Sequence, residues 1–261
     1  MSIKDSSPAD AYVRLLNVDN NSGVDGTLRV IIDGDGTNSS IACSINSFRV
    51  QPDQADSTGA FVVNDKDGNR LFLADTVNDT VKVFSQHANT QYATFSVGNT
   101  VSSSFADDTH QAIPFECSDF GNKSYPPTFG TSTDPATSFV TSDGNGTRAS
   151  DIVPCLWYVN DAISIDAVTS IEGADAATGD STRMHLLSYD FTSGATSCLT
   201  NGTLLAHNSD VPNGGSEQPY LSTWTVDSAA VTSGKVILAF FKSDSINSDY
   251  SVQIKVKYHL T

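Results

Sequence analysis

Two acidic turns, Asp33-Gly34-Asp35-Gly36-Thr37 and Asp65-Lys66-Asp67-Gly68-Asn69, carry the residue types and spacing closest to a metal chemistry in this chain. Alternate carboxylates on one side of a tight loop suit an oxygen-seeking cation. That makes Asp33, Asp35, Asp65 and Asp67 candidate calcium ligands. The second turn does not continue into an EF-hand, because Thr76 stands where the bidentate Glu is required. Asp-Gly is also among the strongest hairpin signals, and plain turns are the reading the sequence favours.

Other chemistry is sparse. Gly-x-Ser-x-Gly, Gly-x-x-x-x-Gly-Lys and the dinucleotide-binding glycine loop are all absent from the sequence. The histidines stand singly at 87, 110, 185, 207 and 259, and strand parity predicts an outward-facing, exposed His259. Carboxylates are plentiful, but nothing in the spacing selects one pair as a glycosidase acid and base. The expectation is therefore no catalytic residue and no enzyme.

Cysteines at 43, 117, 155 and 198 form no Cys-x-x-Cys pair, which argues against zinc. They read as small buried hydrophobes, with a Cys117–Cys155 disulfide open in an oxidising medium. Aromatic side chains that would stack on a sugar are Trp157, Tyr125 and Trp224. For the tryptophans a core or interface place is the commoner alternative.

Fourteen Lys and Arg against thirty Asp and Glu give a formal charge of −16. A surface so acidic repels phosphate backbones, so nucleic acid is not an expected partner. No apolar run is long enough to span a bilayer as a helix, and the polar start Met1–Pro8 has no signal-peptide core. At 38% hydrophobic the chain has material for a core.

Strand patterns dominate the elements that would hold these residues. Tyr250–Leu260 places apolar residues at even positions, the period of two of a half-buried strand. Lys235–Lys242 is apolar between its two lysines, as a central strand covered on both faces requires. Candidate strands after His110 centre on Ile113–Cys117, Ile152–Val159, Ile163–Ile171, Met184–Phe191, Thr203–Ala206, Leu221–Val226, Val236–Phe241 and Tyr250–Tyr258. With polar turns between them they predict a jelly-roll-like β-sandwich over 106–261. The long connections 118–151 and 207–219 read as contact surfaces.

Upstream the strands are shorter: Gly26–Asp33, Ile41–Val50, Ala60–Val63, Arg70–Ala74, Thr80–Phe84 and Tyr92–Val97. Units this small bury little apolar area and need a partner. The expectation is an anchoring arm over 1–24, then an all-β collar or shaft over 25–105 completed by other copies of the chain. The boundary is expected near 100–110.

The segment Phe61–Val83, read as F-x-V-x-D-x-x-G-x-x-L-F-x-x-D-T-x-N-x-x-V-x-V, resembles an element recurrent in phage tail-fibre and other virion appendage proteins. It departs at Ala74, where a larger β-branched residue is usual. Asp151–Ile171, Gly234–Phe241 and Tyr250–Leu260 are similar to C-terminal sandwich domains of structural proteins in marine T4-like and cyanobacterial bacteriophages. The resemblance implies a non-catalytic, homotrimeric virion protein whose partners are itself, other virion proteins and, for host attachment, a surface glycan. A tail, neck or baseplate appendage and a capsid decoration protein both fit that description.

Overall fold

The computed structural model describes residues 16–18, 23–100, 106–116, 126–174, 179–244 and 250–261. It is all-β apart from one short helix among those residues. The chain divides into two compact units, Met1–Ala88 and Asn89–Thr261.

The N-terminal unit holds two four-stranded antiparallel meanders. The first runs β1 (Asn17–Val18), β2 (Arg29–Ile32), β3 (Asn38–Cys43) and β4 (Phe48–Val50). The second runs β5 (Phe61–Asn64), β6 (Arg70–Asp75), β7 (Thr80–Val83) and β8 (Gln86–His87). Sequence neighbours pair with sequence neighbours throughout, so tight turns decide the register. Among the described residues of this unit only Ala42 and Leu73 are buried hydrophobics.

The C-terminal unit is a two-sheet sandwich. One sheet has the order β16-β12-β20-β9, from Gln218–Thr223 (β16), Ile163–Ala174 (β12), Tyr250–Leu260 (β20) and Thr90–Thr100 (β9). The other has the order β10-β19-β13-β14-β17, from Gln111–Ile113 (β10), Lys235–Ser243 (β19), Ser181–Phe191 (β13), Leu199–His207 (β14) and Thr225–Val226 (β17). Short strands Trp157–Tyr158 (β11), Val211–Pro212 (β15) and Ala230–Val231 (β18) extend the edges. The first and last long strands, β9 and β20, lie side by side, and the chain crosses repeatedly between the sheets. That is the strand order of a jelly roll.

The core lies on both sides of the β19 sheet. Ile237, Ala239 and Phe241 face the other sheet and pack with Phe95, Val168, Leu186, Ile254 and Trp224. Val236, Leu238 and Phe240 face the opposite way and pack with Phe129, Phe139, Ile152, Leu187 and Tyr189. The unbroken apolar run of β19 thus has the two-sided cover that its sequence requires. The second layer is supplied by the part of the connection after β10 that is described from Pro126 onward. Phe129 stacks on Phe139 at 5.0 Å and meets Phe240 edge-on at 4.6 Å. Each such ring, fully buried, contributes about 1.5–3 kcal/mol. This part of the long connection is therefore a strap over a sheet, where the sequence suggested a contact loop.

Three other expectations are corrected. Ile152–Val159 is not one strand: a helical turn α1 (Ala149–Ile152) and a 3-10 turn (Val153–Cys155) precede β11. Pro154 supplies no N–H for a ladder, and the Asp151 carboxylate accepts from the Gly146 and Arg148 N–H groups at 2.8 and 3.3 Å. Tyr92–Val97 belongs to the sandwich, because β9 pairs with β20 from Thr90↔His259 to Tyr250↔Thr100. The division between units accordingly falls at 88/89, ahead of the expected 100–110. Finally, His259 is buried, with Nδ1 2.9 Å from Asp166 Oδ1. Tyr258 and Leu260 pack against the core on either side of it, so His259 keeps its outward parity, and it is the bulge residue Asp166, inserted between Ile165 and Ala167, that meets it on the outer face.

Candidate functional site

The two acidic turns have one geometry. Asp33 N–H donates to Thr37 O at 3.1 Å, and Asp65 N–H to Asn69 O at 2.9 Å. Asp33 Oδ1 accepts from the N–H groups of Asp35 and Thr37 at 3.0 and 2.8 Å. Asp65 Oδ1 accepts from Asp67 and Asn69 at 2.9 and 2.8 Å. Gly36 and Gly68 take the positive φ that closes each turn, +83° and +85°. The Asn69 side chain, with its backbone N–H, holds the Asp65 carboxyl below its usual range. Asp67 points to Lys66 Nζ at 2.6 Å. The first carboxylate of each loop is thus turned in on its own backbone, and both loops act as hairpin turns.

The β6–β7 turn repeats the device. Asp75 Oδ1 accepts from the Val77 and Asn78 N–H groups, both at 3.1 Å, and Oδ2 accepts from Asn78 Nδ2 at 2.8 Å. Asp65, Gly68, Asp75 and Asn78 of the 61–83 motif are therefore its turn-formers.

The remaining motif positions build a sheet face. Phe61 stands opposite Ala74, and Ala74 opposite Val81. One step along, Val63 stands opposite Phe72, and Phe72 opposite Val83. Directly opposed residues share a face, so these six side chains form one apolar surface without an ionisable group. Phe61 meets Phe72 edge-on at 5.8 Å. Phe61 and Val63 are each 40% exposed, and Val81 and Val83 each 42%. The reverse face carries Val62, Leu73 and Lys82, with Leu73 buried. In the β6–β7 turn and just after β7, Val77 and Phe84 are more exposed still.

The expected stacking residues are placed differently. Trp224 is buried, its Nε1–H donating to Ser170 Oγ at 2.8 Å. Trp157 is buried between Phe115, stacked at 5.6 Å, and Tyr258 at 5.0 Å. Neither tryptophan offers a free ring face to a sugar, because the core needs both. Tyr125 and Cys117 lie outside the described residues, and Cys155 is buried. The exposed aromatic of the Trp-Tyr pair is Tyr158, edge-on to Phe191 at 6.5 Å.

An open cleft of about 270 Å³ is lined by Asp108, Arg183, Asp210, Lys242 and Asp244. Arg183 pairs with Asp210 at 3.3 Å and Lys242 with Asp108 at 2.9 Å. Asp244 accepts from Ser181 N–H and Oγ–H at 2.6 and 2.9 Å. These charges are matched among themselves, and no aromatic ring lines the cleft.

Sequence reading missed a row of histidines under the strap. His185 stands opposite Phe240 on one side and His207 on the other. His110 packs edge-on to His185 at 4.9 Å, and its Nε2 lies 2.9 Å from Ser132 O of the strap. His185 Nε2 lies 3.4 Å from Asp134 Oδ1, also of the strap. Burial, aided by the positive groups around it, pushes His185 down to about 3, and burial also lowers His110. Across the sandwich, burial drives the Glu172 carboxyl up to about 7 although Thr182 Oγ1–H donates to it at 2.6 Å.

Among the described residues no helix is long and apolar enough to cross a membrane. No protein-family model matches the chain, and no curated protein matches it either.

Proposed function

We propose that this protein is a non-enzymatic structural component of a bacteriophage particle, a homotrimeric tail, neck or baseplate appendage. The observation that carries the reading is the disproportion within the N-terminal unit. Eight strands are held there by turns and ladders, with Ala42 and Leu73 as the buried hydrophobics among the described residues, while Phe48, Phe61, Val63, Val81, Val83 and Phe84 face solvent. A β unit with that inventory gains its missing burial from neighbouring chains. The virion-like motif at 61–83 coincides with the sheet that needs them. The −16 charge suits a protein that stays soluble outside a cell and does not touch nucleic acid directly.

Immunogold electron microscopy of intact particles, with antibodies against residues 110–261, tests this reading. Label on the tail, neck or baseplate is the expected result. Label over the head would replace the appendage with a decoration protein, and the absence of label from every particle would remove the virion role.

A further inference from the structure

We infer that the Phe61–Val83 sheet face is a self-association surface whose occupant is the same face of a second copy of this chain. The inference rests on the self-assembly proposed above and assigns it to particular side chains.

Four observations select the face and its occupant. The reverse side of the same sheet carries Lys82 beside Val62 and the buried Leu73, so a contact there would desolvate a charge, and the Phe61 side is the wholly apolar one. Its six side chains are in register and include no ionisable group. A contact through it desolvates no charge, although each copy carries −16 overall. Further copies present the identical face, so chains arranged about a three-fold axis turn these apolar surfaces inward together and remove all of them from water. The β-branched and aromatic side chains stand on a pleated sheet, which stacks on another sheet about 10 Å away.

The face exposes on the order of 300 Å² of apolar surface, short of the roughly 800 Å² per partner of a stable pair. The same shortfall favours closure of several copies over a single pair.

Sedimentation velocity of the full chain at micromolar concentration, with Val63→Asp/Val83→Asp beside the parent, reads the assignment. These positions are solvent-facing, so the variant keeps its strand signature by circular dichroism. Its association weakens by about a hundredfold or more, as buried unpaired carboxylates require. Lys82→Glu, on the reverse face, sediments as the parent.

A second readout does not depend on variant stability. Under mild oxidation Val83→Cys gives an interchain disulfide and Lys82→Cys does not. If Val63→Asp/Val83→Asp associates like the parent, or both cysteine variants cross-link equally, this face is not the contact, while self-assembly stands. If the parent chain itself is monomeric, self-assembly and the face fall together.

Discussion

The N-terminal hairpins and the sandwich share antiparallel pairing and side-chain-closed turns, yet they bury very different amounts. Ala42 and Leu73 are the buried hydrophobics among the described residues of the first, against thirty-four in the second. In the sandwich, β19 is covered on both faces and the chain pairs across long sequence separations, as between β9 and β20. Among the described residues of the N-terminal unit every strand pairs with its sequence neighbour, and Asp33, Asp65 and Asp75 fix the turns. Turn chemistry can set a register, but it cannot substitute for burial, which is the dominant favourable term in folding. The difference teaches that the sandwich is held by burial, whereas the described N-terminal strands are held by turns and local ladders.

The largest effect that would sharpen this contrast comes from truncating one phenylalanine in each region. Phe240→Ala removes a ring packed against Phe129 and lowers sandwich stability by about 3–5 kcal/mol in denaturant titration. Phe61→Ala, half exposed, leaves that transition unchanged and weakens association instead. Equal losses of sandwich stability from both would break the comparison.

Next in size is Glu172. Its folded value of about 7 lies above its ordinary 4.5, so ionisation opposes the fold above pH 7, and the penalty disappears below pH 4.5. Glu172→Gln therefore stabilises the sandwich by about 3 kcal/mol at pH 8 and leaves it unchanged at pH 4, read as thermal midpoints.

The strap histidines work in the opposite sense. His185 stays neutral in the fold while the unfolded chain protonates near 6.5, so stability drains as pH falls from 6.5 towards 3, and the lowered His110 acts in the same sense. For His185 the slope is up to about 1.4 kcal/mol per pH unit between those limits, and His185→Gln removes that share. A slope unchanged by His185→Gln would show that the strap is not held through this row.

Smallest is Gly68→Ala. A Cβ at φ +85° strains the β5–β6 turn by about 1 kcal/mol. Faster amide exchange over 61–75 with sandwich protection unchanged is the expected signature.

Much of the sandwich was legible because its strands announce their burial. The even-numbered apolar residues Tyr250, Val252, Ile254 and Val256 are all buried, and Lys235–Lys242 reads as the two-sided strand it is. The motif at 61–83 could be read as a hairpin series because Asp-Gly and Asp-Thr-x-Asn are local turn chemistry. What escaped is non-local. The pairing of β9 with β20 spans most of the chain, and no periodicity in Tyr92–Val97 names its partner. His110, His185 and His207 meet through register alone, so three isolated histidines gave no signal. His259 follows its parity to the outer face, but a bulge in the neighbouring strand sets Asp166 against it, and no local pattern announces that cover. Phe129 and Phe139, set among polar residues, looked like loop positions until the sheet they cover was known.

The most direct test of the central claim is the solution mass of the full, unmodified chain by light scattering across the micromolar range. The account predicts a stable species at three times the 27.6 kDa chain mass, with association lost before the sandwich unfolds. A 27.6 kDa monomer whose residues 61–83 are protected from amide exchange as strongly as the sandwich strands would contradict it.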